Sequence, residues 1–240
     1  MPHEEGRHFL QIPGPTNVPD RILRAMAAPT MDHRGPAFGA MTRELFERLK
    51  AVFKTASPVI VFPSSGTGAW EAALVNTLSP RDRVLMAETG QFATLWRGLA
   101  GRLGLDVVFL PGDWRHGIRA DDIAAALSDD HGKTIKAVCC VHNETSTGVT
   151  SNIAAVRQAM DDAKHPALLM VDVVSSLASI DYRHDEWGVD VTIGGSQKGL
   201  MMPPGLSFNA VGDKALAASE TATMTRSYWD WAPMLAANEG

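Results

Sequence analysis

The segment VDVTIGGSQKGLMMPPG, residues 189–205, joins an apolar run rich in β-branched residues to a turn rich in glycine and proline. The run predicts a buried strand, and the turn places Lys198 beyond its end. A second apolar run, ALLMVD at 167–172, ends in Asp172. Such runs are typical of a parallel sheet, whose ligands bind at the carboxyl ends of the strands. We therefore expect Lys198 and Asp172 at the ligand-binding edge of one sheet.

These two residues together suggest a chemistry. A lysine amine that an apolar pocket pushes toward neutrality condenses with carbonyl groups, and a carboxylate holds a protonated ring nitrogen. Opposite charges about 4 Å apart attract by roughly 4 kcal/mol at an effective dielectric constant of about 20, which raises the pKa of a pyridine nitrogen by about three units. The pair therefore suggests pyridoxal phosphate as cofactor. The alternative role for Asp172 is capping a turn.

Short runs of Val, Ile and Leu alternate with helix-length segments, the pattern of a mainly parallel sheet with helices on both faces. The predicted fold class is α/β. Strands are predicted at 59–62, 83–87, 106–110, 135–141, 167–172, 189–193 and 206–211. Helices are predicted at 39–56, 67–78, 92–103, 120–128 and 152–164. Residues 1–20 predict an extended arm with little to pack on within its own chain, and residues 21–240 predict one cofactor-binding large domain.

Composition limits the classes of function. The chain has 240 residues, 45% of them apolar, and a formal net charge of −5 without a cluster of Lys or Arg. These values favour a globular protein with neither nucleic acid nor a membrane as partner. Because no signal peptide is recognisable and no apolar run approaches the roughly 20 residues of a membrane span, the cytoplasm is favoured. The scattered histidines predict no metal site, and the adjacent Cys139 and Cys140 predict buried strand residues.

Three segments add candidate residues. PSSGTGAWEAAL follows a predicted strand and opens a helix, so its first N–H groups suit a phosphate, although in isolation an ordinary glycine-rich turn is the commoner explanation. In HNETSTGV, residues 142–149, Thr145 or Ser146 suits a phenolate oxygen, with a plain surface turn as the alternative. Phe92 or Trp96 offers an aromatic face to a planar ring, although either also suits the core.

The ordered motifs IPGPTNVP, DHRGPAF, SSGTGAWEAAL, HNETSTGV, LLMVDVVSSL and GSQKGLMMPPG resemble the class V pyridoxal-phosphate-dependent aminotransferase family, in particular its serine–glyoxylate and alanine–glyoxylate members. The resemblance covers nearly all of residues 10–210. It implies fold type I, with a mainly parallel seven-stranded sheet in the large domain and an N-terminal arm that embraces a second subunit. We therefore expect a homodimer. A smaller C-terminal domain is also implied, and we expect it to be absent from these 240 residues.

The resemblance implies roles for residues around the cofactor ring. Lys198 matches the lysine that binds the cofactor covalently, and Asp172 matches the partner of the pyridine nitrogen. Thr145 matches a contact on the oxygen side of the ring. Phe92, rather than Trp96, matches the ring-stacking position, where several relatives use tryptophan.

The phosphate side and the substrate side follow from the same resemblance. Ser65, Gly66 and Thr67 match the phosphate cup, and Gln197 matches a contact on the phosphate side. In the family, an arginine of the C-terminal domain clamps the substrate carboxylate. The implied reaction is transamination of serine, alanine or aspartate with glyoxylate or another 2-oxo acid, in two successive half-reactions.

Several alternatives stay open. Arg34 either meets the amino donor or, as the sequence favours, anchors the dimer. A cysteine desulfurase has the same fold and lysine, but it needs an exposed cysteine, whereas Cys139 and Cys140 lie in an apolar strand. A Ser/Lys hydrolase built on Ser196 and Lys198 lacks the SxxK spacing. A non-catalytic remnant would bind the cofactor or a partner subunit without turnover.

Overall fold

One seven-stranded sheet organises the chain in the computed structural model, which describes residues 9–239. The strands are β1 (Val59–Ser64), β2 (Arg83–Ala87), β3 (Asp106–Leu110), β4 (Ile135–Val141), β5 (Leu168–Asp172), β6 (Val191–Gly195) and β7 (Gly205–Val211). Their order is β1-β7-β6-β5-β4-β2-β3. β7 runs antiparallel to both neighbours, and the other neighbouring pairs are parallel. The predicted mainly parallel sheet and α/β fold class are confirmed.

The described residues form eight helices. These are α1 (Asp20–Met26), α2 (Pro36–Phe53), α3 (Gly66–Thr77), α4 (Gln91–Arg102), α5 (Ala120–Asp129), α6 (Ile153–Asp162), α7 (Asp213–Thr221) and α8 (Trp231–Glu239). The five predicted helices are confirmed as α2 to α6, with small shifts at their ends. α2 begins three residues earlier than predicted because Pro36 occupies its first turn, where a missing N–H costs no hydrogen bond. α1, α7 and α8 were not among the predicted helices.

Helices cover both faces of the sheet. α3, α4 and α7 contribute to the core on one face, and α2, α5 and α6 contribute to the core on the other. Consecutive strand residues point to opposite faces, so Cys139 lies in the first core and Cys140 in the second. All five residues of β5 are buried because strands flank it on both sides and helices cover both faces.

The topology brings several loops to one edge of the sheet. β4, β5 and β6 are parallel neighbours, so the residues that follow them meet at their carboxyl ends. β1 is antiparallel to β7, which is antiparallel to β6, so β1 ends at the same edge and α3 begins there. None of the helices within residues 9–239 is both long and apolar enough to cross a membrane.

Residues 9–19 of the predicted arm form neither helix nor strand and bend at residues 12–15, and residues 1–8 of it lie outside the described part of the chain. The prediction that the arm has little to pack on within its own chain is confirmed for Phe9, Leu10 and Ile12, which are exposed, and is wrong for residues 13–16. The Thr16 N–H donates to the Gln197 carbonyl at 2.9 Å, and the Thr16 hydroxyl lies 3.2 Å from the Lys198 carbonyl oxygen. Residues 13–16, here called the N-terminal strap, therefore lie against the turn that carries the lysine.

Candidate active site

A cavity of about 230 Å³ lies at the carboxyl edge of β4 and β5. Its lining includes all eight residues that the sequence assigned to a site: Ser65, Gly66, Thr67, Phe92, Thr145, Asp172, Gln197 and Lys198. A larger cavity of about 550 Å³ beside the ends of β2 and β3 contains none of them. The structure therefore brings the candidate residues together, while their individual roles stay predictions.

Asp172 forms the buried floor of this cavity. Its Oδ1 accepts the Val174 N–H at 2.7 Å, and its Oδ2 accepts the Trp70 indole N–H at 2.6 Å. Burial raises the pKa of Asp172 to about 6, and the charge of Glu144 acts in the same direction, whereas both hydrogen bonds and the charge of Lys198 oppose the increase. The carboxylate is thus held in a fixed orientation and is poised to pair with a cation.

Lys198 enters the cavity from the turn after β6. Its amine donates to the carbonyl oxygen of Pro13 in the N-terminal strap at 2.9 Å. Partial burial lowers the pKa of Lys198, and the charge of Asp172 acts in the opposite direction. The amine is therefore shifted toward the neutral form that a nucleophile requires.

The N-terminus of α3 supplies the anion-binding part of the cavity. The side chain of its N-cap residue, Ser65, makes no capping hydrogen bond. The first N–H groups of the helix therefore stay available for an anion. A Cβ atom on Gly66 would lie 2.6 Å from Cγ2 of Val174, so a side chain at this position would collide with the wall of the cavity. The Oε1 atom of Gln197 is buried and has no hydrogen-bond partner among the described residues.

Glu144, which sequence analysis did not select, links the loop after β4 to the start of α4 beside the cavity. Its buried carboxylate accepts the backbone N–H groups of Phe92 and Ala93 in the first turn of α4, and also the N–H and hydroxyl of Ser146. A carboxylate at a helix N-terminus is stabilised by the helix dipole. Ser146 is therefore engaged with Glu144, whereas Thr145 lines the cavity.

The two aromatic candidates occupy different positions. Phe92 lines the cavity, whereas Trp96 is 1% exposed and lies in the core. Trp96 stacks on Trp70, with ring centroids 5.6 Å apart and 9° between the ring planes. Sequence analysis also missed Trp70, which lines the cavity one helical turn after Gly66. That i, i+4 spacing within GTGAWEAAL is the signal that places it on the same side of α3.

The alternative chemistries find little support in the geometry. Cys139 and Cys140 are buried, and burial raises the pKa of Cys140 to about 12, so neither is an exposed nucleophile. The Ser196 hydroxyl donates to the Pro203 carbonyl at 2.7 Å. Arg34 is exposed and does not line the cavity. No group of three or more metal-ligating side chains occurs in residues 9–239.

Comparison with known sequences identifies relatives. A family model described as aminotransferase class-V matches residues 8–225. The L-aspartate–glyoxylate aminotransferase of Paracoccus denitrificans is 51% identical, with 91% of this chain and 56% of the relative covered. The serine–glyoxylate aminotransferase of Methylorubrum extorquens is 52% identical, with 94% of this chain and 58% of the relative covered. The chain thus spans somewhat more than half the length of these relatives.

Solved structures show the same architecture. The alanine–glyoxylate aminotransferase from Nostoc sp. superposes with a TM-score of 0.89 at 31% identity, over 98% of this chain and 62% of the other. The aspartate aminotransferase from Thermus thermophilus gives a TM-score of 0.88 at 31% identity, over 97% of this chain and 64% of the other. The arrangement of strands and helices in this chain is therefore shared with part of each of these two longer chains.

Proposed function

This chain belongs to the class V aminotransferase family, and from that premise we propose that it forms the cofactor-binding large domain of an aminotransferase. Family members depend on pyridoxal phosphate. The proposed reaction transfers the amino group of serine, alanine or aspartate to glyoxylate or another 2-oxo acid. The observation that carries the proposal is the convergence of Lys198, Asp172 and the uncapped N-terminus of α3 on one cavity. The names of the relatives support glyoxylate as the acceptor.

The residues of the cavity fit pyridoxal phosphate in three respects. The buried Asp172 carboxylate suits a protonated ring nitrogen, and the uncapped end of α3 suits a phosphate dianion. The unpartnered Oε1 atom of Gln197 offers an acceptor beside these groups. When bound, the cofactor supplies an electron sink for the carbon atom next to the amino group.

The protein side chains then have distinct tasks. Lys198, shifted toward its neutral form, accepts the proton from the substrate Cα atom at its Nζ and returns a proton later in the reaction. Asp172 holds a proton on the ring nitrogen by pairing with the resulting cation. The N–H groups at the start of α3 fix the phosphate, so that the reacting atoms stay aligned. Phe92 covers part of the cavity and excludes water from it.

Borohydride reduction tests the proposal. The chain is mixed with pyridoxal phosphate, reduced, digested and mapped by mass spectrometry. We expect the cofactor on the peptide that contains Lys198, and no labelling in Lys198→Ala. Lys214→Ala is the matched control, because burial also lowers the pKa of this partly buried lysine, which lies outside the cavity. Labelling at Lys214 in place of Lys198, or no labelling above surface background, would overturn the proposal.

We also propose that the protein is a homodimer. Exposed apolar side chains occur along the arm and α1: Phe9, Leu10, Ile12, Leu23 and Met26. Apolar surface of this extent favours association. Sedimentation velocity measures the oligomeric state directly. The same measurement on Arg34→Ala tests whether this exposed arginine takes part in the dimer interface. A monomer at micromolar concentration would contradict this proposal. A monomer–dimer equilibrium that does not change on replacing Phe9 and Ile12 together by serine would show that these exposed side chains are not part of the interface.

Initial rates of the first half-reaction address the amino donor. Serine, alanine and aspartate are compared by the conversion of bound cofactor to its aminated form, which has a different absorbance. Because the 51% and 52% identical relatives are named for aspartate and serine, we expect one of these two to be fastest. A fastest rate with alanine would contradict this expectation, and conversion with none of the three would count against the proposed donor class.

A further inference from the structure

Trp70 holds one oxygen of the carboxylate on which the proposed cofactor site depends. Its indole Nε1 donates to Oδ2 of Asp172 at 2.6 Å, and both side chains are at most 3% exposed. A hydrogen bond to a buried carboxylate is among the stronger polar contacts in a protein. The aromatic ring is thus joined to a charged group of the cavity as well as to the core.

The surroundings keep the indole in this orientation. Trp70 lies inside α3, and its ring stacks on Trp96 of α4 with 9° between the ring planes. Trp96 is buried as well, but its own Nε1 has no partner among the described residues. The two stacked tryptophans therefore differ in their indole N–H groups, because that of Trp70 reaches Asp172 and that of Trp96 does not.

Among the described residues, no other hydrogen bond reaches Oδ2 of Asp172. The Val174 N–H occupies Oδ1, and the charges of Glu144 and Lys198 act with opposite signs. We propose that Trp70 is a positioning residue that acts through Asp172, an inference that rests on the proposed function. Its N–H fixes Oδ2 and so keeps the carboxylate charged and aimed at a protonated ring nitrogen in the cavity.

The first test uses the cofactor-free chain. The pKa of the Asp172 carboxyl is measured by carbon-13 NMR in the wild type, Trp70→Phe and Trp96→Phe. Loss of a hydrogen bond to a charged group is expected to raise this pKa by about one to two units in Trp70→Phe. Trp96→Phe removes an indole of the same stack without touching Asp172, so no comparable increase is expected. Equal increases in the two variants, or none in Trp70→Phe, would overturn the proposal.

The second test measures cofactor affinity from pH 6 to pH 8. Below the pKa of Asp172, binding of a protonated ring nitrogen must release a proton, so the affinity falls as the pH decreases. With that pKa raised by about one unit or more, Trp70→Phe should bind pyridoxal phosphate at least roughly fivefold more weakly than wild type at pH 6, and the difference should shrink toward pH 8. An analogue with carbon in place of the ring nitrogen should show no such pH-dependent loss.

The outcomes separate this inference from the proposed function. If the wild type binds neither pyridoxal phosphate nor the analogue, the proposed function fails. If the wild type binds both, but Trp70→Phe weakens both equally at every pH, the ring acts by packing alone and the inference fails. Should Trp70→Phe not fold, a benzothienylalanine at position 70 keeps the bicyclic shape and lacks the N–H, and the same two results are expected from it. In an Asp172→Asn background, Trp70→Phe should produce no pH-dependent difference.

Discussion

The amine of Lys198 donates to the carbonyl oxygen of Pro13 at 2.9 Å, so the N-terminal strap sets the resting position of the proposed reactive group. A carbonyl acceptor carries no formal charge and can be exchanged for another acceptor at little cost. The strap therefore holds the Lys198 amine without neutralising its charge. Changes in the strap should alter the position of this amine before they alter the structure of the sheet.

Gly14→Ala tests the contact between the strap and the lysine. The new Cβ atom would lie 2.5–2.7 Å from Cδ, Cε and Nζ of Lys198, so the end of that flexible side chain must move. Borohydride-dependent labelling of Lys198 should become several-fold slower. Gly205→Ala is the matched control, because its φ of +138° is close to the +146° of Gly14 while its Cβ would meet nothing within 4 Å. Both should lose about 1–3 kcal/mol of stability from backbone strain, and equal labelling rates would contradict the prediction.

Gly66→Ala tests the anion-binding end of α3. Its Cβ atom would overlap Val174 at 2.6 Å, which costs about 1–3 kcal/mol of unfolding free energy through overpacking. Displacement of the first turn should also weaken pyridoxal phosphate binding about tenfold or more, since the first N–H groups shift. Gly101→Ala in α4 is the control, because its Cβ atom would meet nothing within 4 Å. Its free energy of unfolding should rise by up to about 1 kcal/mol. Urea unfolding and fluorescence titration measure the two effects, and unchanged affinity in Gly66→Ala would refute this part.

Glu144→Gln tests the link between the loop after β4 and the first turn of α4. An amide offers one acceptor oxygen and brings an NH₂ group against the N–H groups of Phe92 and Ala93. The unfolding free energy should fall by at least about 2 kcal/mol. Glu44→Gln, on the exposed face of α2, should change it by less than about 0.5 kcal/mol. Similar losses in the two variants would show that the buried carboxylate is not required.

Asp172 predicts a pH dependence of stability in the cofactor-free chain. Its pKa is about 6 in the folded chain and about 3.8 when unfolded, so the folded state binds the extra proton between these values. Its contribution is fully favourable below pH 3.8 and is lost as the pH rises through 6. The unfolding free energy of wild type relative to Asp172→Asn should therefore fall by about 3 kcal/mol in total from well below pH 3.8 to well above pH 6. A difference that stays constant between pH 4 and pH 7 would contradict the assignment.

Much of the fold and site was accessible from sequence because the signals are local. The apolar runs at 135–141 and 167–172 predict strands by composition, and each candidate residue follows such a run or opens the next helix. Parallel neighbours then bring those positions to one edge. Lys198, Asp172 and the start of α3 therefore line one cavity, as expected.

The features that were missed depend on tertiary contacts. Glu144 is a polar residue of a loop, and nothing local reveals that its carboxylate reaches Phe92 across the loop after β2. Trp70 shows helical spacing from Gly66, but its bond to Asp172 joins elements 102 positions apart. The strap is similar, because PGPTN predicts an extended segment without indicating the surface on which it lies.

The separation of 185 positions between Pro13 and Lys198 sets an order of events on the ribosome. The strap is synthesised before its seat, which does not exist until the turn after β6 has been made. At about 5–20 residues per second, that interval lasts roughly 10–40 s. Throughout that interval the nascent chain carries the strap without its seat, and the cavity cannot capture coenzyme until the turn after β6 has been made.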